Sequence, residues 1–171
     1  MTAEQILEEL ERLGRASYKC VLVKNHGVKE PVFGVPISEL KKFQKRLRIN
    51  YQLALDLYAT GNYDAMYLAG LIADDARMTR QDLERWVNHA NAGPLCGATV
   101  PWVAAGSAHG REIALKWIDA PEPNVVSAGW ATLSSLVAVT KDTDLDLTEL
   151  TALLQRVERT LHHSADRVRY K

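Results

Sequence analysis

The sequence predicts an all-α protein of the α-solenoid type, in which short helices stack in successive pairs. Apolar residues recur with the 3.6-residue period of a helix along nearly the whole chain, and no stretch alternates convincingly in the manner of a strand. This pattern gives about ten short helices joined by tight connections, whereas a four-helix bundle needs fewer and longer ones. Internal sequence repetition is weak, so the prediction depends on the number and length of the helices.

Glycines and one loop separate the first five predicted helices. Their apolar positions fall within residues 6–13, 18–22, 37–47, 53–58 and 65–72. Gly14, Gly27 and Gly61 follow the first, second and fourth of these helices, where glycine commonly ends a helix. The segment 27–36 is rich in glycine and proline, which predicts a loop between the second and third helices.

The second half of the chain continues in the same way. Thr79 with Asp82, and Asp146 with Glu149, have the spacing of a capping box and begin the sixth and tenth helices. The three helices between them are predicted over residues 94–106 with a break at Pro101, over residues 109–118, and from Pro121 or Pro123 onwards.

Composition limits the class of protein. The 171 residues suffice for one domain with a real core, and we predict a single domain over residues 1–171. The 21 basic and 21 acidic residues cancel, so any binding to nucleic acid must depend on local patches. The acidic N-terminus is unlike a signal peptide and no apolar run reaches membrane-spanning length, so we expect a cytoplasmic protein that makes no use of a membrane.

The sequence gives no reason to expect a metal or an organic cofactor. Cys20 and Cys96 lie far apart without the spacing of zinc ligands, and we predict that both are buried thiols. His162 and His163 are adjacent, and neighbouring side chains on a helix point about 100° apart, so the two cannot easily share an ion. Phosphate-binding glycine loops and hydrolase motifs are absent from the sequence.

Two basic clusters are candidate sites of phosphate contact. The third helix carries Lys41, Lys42, Lys45, Arg46 and Arg48, of which Lys41, Lys45 and Arg48 form one stripe opposite the apolar residues. Taken alone, such a stripe is more often the solvated outer face of an amphipathic helix. The last residues add a second cluster, which consists of Arg167, Arg169 and Lys171.

Four tryptophans could stack on bases or pack in the core. Core packing is the simpler interpretation for most of them, and we expect it for Trp130, which follows a glycine within an apolar helix. Trp86 and Trp117 have charged neighbours, so we expect them to be half exposed and able to line a groove. The fourth, Trp102, ends the stretch WVNHANAGPLCGATVPW at residues 86–102.

Five stretches together resemble the AlkD-like DNA alkylation repair family. They are KNHGVKEPVFGVPISELKKFQK (24–45), LALDLYATGNYDAMYLAGLIADD (53–75), MTRQDLERWV (78–87), VVSAGWATL (125–133) and HHSADRVRY (162–170). The resemblance implies a single domain of HEAT-like helical repeats, curved around duplex DNA with an electropositive concave face. It also implies, for active members, hydrolysis of the N-glycosidic bond of N3- or N7-alkylated purines.

The sequence departs from this family at the point where active members place their chemistry. Active members carry a tryptophan closely followed by an aspartate, and residues 86–102 contain neither Asp nor Glu. The chain also ends at Lys171, where family members continue through further helices. The catalytic residue is therefore unknown, and glycosylase activity is left open.

We derive two hypotheses of different class. The first is a monomeric repair-type protein that binds duplex DNA, with or without glycosylase activity. In this hypothesis the phosphates are contacted by Lys41, Lys45, Arg48, Arg167 and Arg169. Trp86 and Trp117 line an aromatic groove. The second is a non-catalytic HEAT-like module that binds DNA or a protein partner. The five matching stretches and the basic residues 41–48 support the first hypothesis, which we take as the main one, and the missing carboxylate and the zero net charge motivate the second as its alternative.

Overall fold

A computed structural model describes residues 1–170, which contain α-helices and short turns but no strand. The helices are α1 (Ala3–Leu13), α2 (Ala16–His26), α3 (Ile37–Leu47), α4 (Tyr51–Ala59), α5 (Tyr63–Ile72), α6 (Arg80–His89), α7 (Val100–Gly106), α8 (Gly110–Trp117), α9 (Pro123–Val139), α10 (Leu147–Thr160) and α11 (Asp166–Arg169). One turn of π-helix, Leu95–Thr99, leads directly into α7. The all-α prediction is confirmed.

Five of the eleven described helices, α1, α4, α5, α6 and α10, begin at a residue whose side chain caps them. The predicted capping box of Thr79 and Asp82 forms in full at the start of α6. Asp146 accepts hydrogen bonds from two backbone N–H groups at the start of α10, while Glu149 turns away to pair with Arg111 of α8. Gly27 ends α2 in the left-handed conformation, at φ 62°, which a side chain would strain.

The predicted break at Pro101 is wrong, because helix continues through this residue. The π-helical turn just before it has wider, i to i+5 hydrogen bonding, in which the N–H of Val100 donates to the carbonyl of Leu95. Pro101 then lies in the first turn of α7, where its missing N–H costs little.

The helices stack in two rows. The odd-numbered row contains α3, α5, α7, α9 and α11, and each of these helices contacts the next one in that row. The even-numbered row contains α4, α6, α8 and α10, which pack against odd-numbered partners, as α4 does on α5 and α8 on α9. Successive helical pairs in two rows are the arrangement of an α-solenoid, so this prediction is confirmed.

Aromatic packing joins neighbours within the even-numbered row. The rings of Tyr58 on α4 and Trp86 on α6 stack with centroids 4.1 Å apart, and the Tyr58 hydroxyl donates to the Trp86 carbonyl at 2.8 Å. Burial raises the pKa of Tyr58 far above its ordinary value, so its hydroxyl stays a donor. This pair thus joins α4 to α6 by a ring stack and a hydrogen bond.

One buried carboxylate holds the loop between α2 and α3. Asp64, in the first turn of α5, accepts backbone hydrogen bonds from Phe33, Gly34 and Val35 at 2.7, 3.1 and 2.8 Å. Burial raises the pKa of Asp64, and the three N–H groups oppose that rise because they stabilise the ionised form. The loop is thereby tied to the odd-numbered row.

The last repeat is packed far less tightly than the others. None of the residues of α10 is buried, although its leucines follow one stripe. That stripe and the residues Trp130, Leu133 and Val137 of α9 line an apolar groove of about 360 Å³. Leu147 and Leu154 remain 68% and 70% exposed at its edge. Trp130 is half-buried here, so its predicted place in the core is only partly realised.

The structure also bears on the cysteines, on metal ligands and on membrane-spanning helices. Cys96 is buried as predicted, but Cys20 is exposed on α2, a helix that buries only Leu22, so the prediction for Cys20 is wrong. Within residues 1–170, no three His, Cys, Asp or Glu side chains converge as ligands for a metal ion. The described helices include none that combines the length and apolar character needed to cross a bilayer.

Candidate nucleic-acid interface

Helix α3 presents the predicted basic stripe to solvent. Leu40 and Phe43 are buried, and Lys41 and Lys45 are exposed on another side of the helix. Arg48 is also exposed, but it lies just past the end of α3 at φ 56°, so the predicted stripe ends at Lys45. The stripe exists because the apolar residues recur at helical spacing and direct the remaining positions away from the core.

Ion pairs divide the basic residues of α3 into two groups. Lys42 pairs with Glu39 at 2.9 Å, and Arg46 pairs with Glu9 of α1 at 2.8 Å. No carboxylate in the described part of the chain forms an ion pair with Lys41, Lys45 or Arg48. Helical spacing allows the pair between Lys42 and Glu39, three positions apart, but the pair of Arg46 could not be foreseen because Glu9 is distant along the chain.

Lys41 lies near the edge of α3 that meets α5. The side-chain amide of Gln44 donates to the carbonyl of Leu71 at the end of α5, at 3.0 Å. Residues three positions apart are neighbours on a helix, so Lys41 lies beside Gln44. Lys41 is therefore close to the odd-numbered row, whereas Arg46 faces α1.

The predicted exposure of Trp86 and Trp117 is wrong. Their side chains are only 2% and 1% exposed, so in this structure neither can reach a base. Their charged neighbours take the outward positions instead, where Glu84 of α6 and Lys116 of α8 form an ion pair at 2.8 Å. A charged neighbour in sequence points about 100° away on a helix and does not show that the tryptophan is exposed.

Trp102 is the exposed tryptophan of the odd-numbered row. It is 44% exposed on α7 and meets Tyr67 of α5 edge to face, with centroids 5.9 Å apart. The buried residues Val100, Val103 and Ala104 leave position 102 on the outer side of the helix. This helical spacing could have identified Trp102 from the sequence, had the helix not been expected to break at Pro101.

The stretch 86–102 forms the floor of an open groove of about 700 Å³. Three segments that are distant in sequence meet there. Asn25 and His26 end α2, residues 93–98 lead into α7, and Asp166, Arg167 and Tyr170 belong to the C-terminal segment. The groove therefore opens on the side of α7 and α11, within the odd-numbered row.

The two predicted arginines of the C-terminal cluster have different surroundings. Arg167 is half-buried in the groove, where its Nη1 lies 3.6 Å from the Sγ atom of Cys96. None of the nine ion pairs found within residues 1–170 involves it. Arg169 instead pairs with Asp166 at 3.5 Å and borders the apolar groove beside α10.

Three carboxylates could be considered as catalytic groups near these surfaces, and each has another place or partner. Asp82 accepts from Thr79 and from the hydroxyl of Tyr51; burial alone would raise its pKa, but these hydrogen bonds outweigh burial and lower it. Asp75 lies against Gly106 at the far end of α7 from the groove floor. Asp166 contributes the carboxylate of the groove lining, and its side chain is 85% exposed.

Comparison with known proteins identifies the family. A family model described as DNA alkylation repair enzyme matches residues 6–170. The chain belongs to the DNA alkylation repair enzyme family. The resemblance inferred from the five sequence stretches is thereby confirmed.

Relatives of this DNA alkylation repair family member extend beyond the matched region. Uncharacterized proteins of Listeria innocua and Listeria monocytogenes are 28% and 27% identical to it over 176 residues, which cover 99% of this chain and 75% of each relative. A solved structure is 36% identical, with a TM-score of 0.93, and the match covers 99% of this chain and 72% of that one. It is described as belonging to a new family of proteins related to the HEAT-like repeat DNA glycosylases with affinity for branched DNA structures. The HEAT-like character of the fold is thus confirmed.

Proposed function

We propose that this protein binds DNA through the odd-numbered row and does not excise bases with a carboxylate of its own. One observation carries the proposal. Lys41 and Lys45 on α3, and Arg48 just past its end, form no ion pair within residues 1–170, whereas Lys42 and Arg46 of the same helix pair with carboxylates. A surface that keeps cations unpaired in a chain of zero net charge is suited to bind a polyanion.

The geometry of the row fits duplex DNA. The stripe on α3 and the half-buried Arg167 are separated by α5 and by the segment leading into α7. Packed helices lie 8–10 Å apart, so the two basic points are roughly 20 Å apart. That distance exceeds the width of the major groove, about 12 Å, and allows contact with phosphates on both of its sides. Arg169 would contribute less, because Asp166 already neutralises it.

Branched DNA is the form of duplex that we infer as the preferred ligand. The structurally similar protein with 36% identity is described as having affinity for branched DNA structures, and the match extends over 99% of this chain. Branched DNA consists of duplex arms, so the phosphate contacts proposed for a duplex apply to each arm. The exposed Trp102 adds an aromatic surface on the same row.

The alternative function is excision of alkylated purines, which the family description suggests. Such a reaction requires a carboxylate beside the sugar to stabilise developing positive charge. The floor of the groove supplies backbone and small side chains, and Asp166 at its edge is exposed and paired with Arg169. We therefore favour binding over excision. Incubation with methylated DNA should release neither 3-methyladenine nor 7-methylguanine above background, and release at enzymatic rates would refute this part of the proposal.

The binding proposal can be tested with two matched variants of α3. Lys45→Ala removes an unpaired cation. Lys42→Ala removes a cation of the same helix that already pairs with Glu39. Anisotropy titration of a labelled four-way junction over a series of salt concentrations measures both. We expect Lys45→Ala to weaken binding several-fold and to reduce the salt slope by about 1, as for one lost phosphate contact.

The Lys42→Ala control lowers the net charge by the same amount, but Lys42 is held by Glu39, so losing it should leave the salt slope unchanged and change the affinity by less than a factor of about 2. Equal effects of the two variants would show that the α3 stripe is not the phosphate-contacting surface. Equal thermal unfolding midpoints of the two variants would show that a difference in DNA affinity between them does not come from a difference in folding stability.

A further inference from the structure

We propose that the groove between α2, the segment leading into α7, and α11 receives one unpaired nucleotide at a DNA branch point. Arg167 would bind its phosphate and Tyr170 would stack on its base. The proposal rests on the proposed function, because the duplex arms must already be held by the odd-numbered row. It assigns the preference for branched DNA to Tyr170 and to a second role of Arg167, in addition to the basic residues of α3 that provide general affinity.

Arg167 has the properties of an anion-binding residue. Its guanidinium has five N–H donors, and the hydrogen bond that the structure gives it runs to a thiol, which is a weak acceptor. It is half-buried, and it forms no ion pair with any carboxylate of residues 1–170. A guanidinium held in place with free donors is suited to a bidentate contact with a phosphate.

Small residues create the space beside Arg167. The floor consists of Gly93, Pro94, Gly97 and Ala98, so backbone rather than side chains forms most of its surface. A Cβ at position 93 would lie 3.5 Å from Nη1 of Arg167 and 3.4 Å from the His26 carbonyl oxygen. A larger side chain there would occupy the approach to the guanidinium. The volume of about 700 Å³ lies within the roughly 300–1,000 Å³ of small-molecule sites.

The rim of the groove offers the contacts that a base requires. Tyr170 is 80% exposed, so one face of its ring is available for stacking. Asn25 and His26 stand at the end of α2 and are exposed, with side chains that can hydrogen-bond the edge of a base. Phosphate, base face and base edge thus each have a partner of suitable chemistry.

The same geometry explains why the nucleotide should be unpaired. A base within a duplex is paired and stacked on both sides, so it enters a groove only after both interactions are broken. Nucleotides at a junction or a bulge have lost part of this stacking already. The groove therefore favours branched over continuous duplex DNA without reading a sequence.

The test compares two labelled probes that differ by one feature. One is a continuous duplex, and the other is the same duplex with a single unpaired 2-aminopurine nucleotide. We expect Tyr170→Leu to reduce the affinity for the second probe at least 5-fold while changing duplex affinity less than 2-fold. Arg167→Ala also removes a duplex phosphate contact, so it should weaken both probes, and it should weaken the second at least 5-fold more than the first. Tyr170→Leu should also abolish the quenching of 2-aminopurine that stacking produces in the wild type.

Two controls separate the outcomes. Arg169→Ala removes a cation from the same short helix that already pairs with Asp166, and it should leave the ratio of the two affinities unchanged. Lys45→Ala should weaken both probes equally. If the ratio is unchanged in Arg167→Ala and in Tyr170→Leu, the groove does not hold the nucleotide, although the proposed function stands. If Lys45→Ala has no effect on either probe, the proposed function fails.

Discussion

Asp75 carries an electrostatic cost that depends on pH. Burial, and secondarily the neighbouring Asp74, raises the pKa of Asp75 to about 6. Gly106 leaves room for this carboxylate, since a methyl group there would overlap it. Because the folded pKa lies above that of the unfolded chain, about 3.9, the ionised carboxylate destabilises the folded state. The cost is full above pH 6 and disappears as the pH falls towards 4.

We expect Asp75→Asn to raise the free energy of unfolding by about 1 kcal/mol at pH 8, a value reduced from the full shift because the group is partly solvated. The gain should shrink between pH 6 and pH 4 and vanish below pH 4, where the wild-type carboxyl is protonated in both states. Urea denaturation at several pH values measures this. A gain that is constant with pH would mean that packing, not charge, causes it.

Single residues also show how far the sequence predicts the site. The stripe of Lys41, Lys45 and Arg48 was predicted from helical spacing, and the structure places Lys41 and Lys45 on an exposed side of α3. Arg48 is exposed too, but the helix ends one residue before it. Exposure of individual tryptophans did not follow, because Trp86 depends on its stack with Tyr58, which lies 28 residues earlier. Periodicity determines the side of a helix on which a residue lies, but not what packs against that side.

At the scale of elements, the loop between α2 and α3 depends on one contact with α5. Asp64 accepts three backbone hydrogen bonds from residues 33–35, and the loop turns through Gly34 at φ 80°. We expect Asp64→Ala to lower the free energy of unfolding by roughly 3 kcal/mol, because it leaves three buried or half-buried N–H groups without an acceptor. Chemical denaturation measures the change.

Asp56→Ala is the matched control for this prediction, since Asp56 is exposed on α4 and bonds only the side chain of Gln52. It should cost less than about 0.5 kcal/mol. A loss below about 1 kcal/mol in Asp64→Ala would show that the apolar residues of the loop, such as Val32 and Val35, hold it without the carboxylate.

Helix boundaries were largely predictable because caps and glycines are local signals. Thr79 and Asp146 mark the starts of α6 and α10 in the sequence as they do in the structure. The π-helical turn before α7 was not predictable, because proline alone indicates a break and the wider turn depends on tertiary packing. The groove was hidden for the same reason, since its walls come from residues near 25, 95 and 167.

At the scale of the whole molecule, charge is distributed unequally between the rows although the net charge is zero. The even-numbered row joins its helices by ion pairs between Arg80 and Glu112, Lys116 and Glu84, and Arg111 and Glu149. Within residues 1–170, Lys41, Lys45 and Arg48 belong to none of these pairs. A net charge of zero thus does not tell which cations are paired, and composition alone could not separate them.

The monomeric state, the single domain and the further helices inferred from the family stay predictions. The chain spans 75% of the Listeria relatives and 72% of the solved structure. The apolar groove beside α10 is the described surface that would gain most burial from further packing, because α10 itself buries no residue.

The contrasting burial of the tryptophans gives the protein two kinds of fluorescent reporter. Trp86 and Trp117 emit from a dry interior and follow the integrity of the core, whereas Trp102 emits from water on the odd-numbered row. We expect DNA to quench the long-wavelength emission of Trp102 and to leave the short-wavelength emission unchanged. Trp102→Phe should lose this response and keep the unfolding signal. If the variant is quenched as strongly as the wild type, DNA lies on another face. The buried indoles of Trp86 and Trp117 thus become the internal standard for the exposed indole of Trp102.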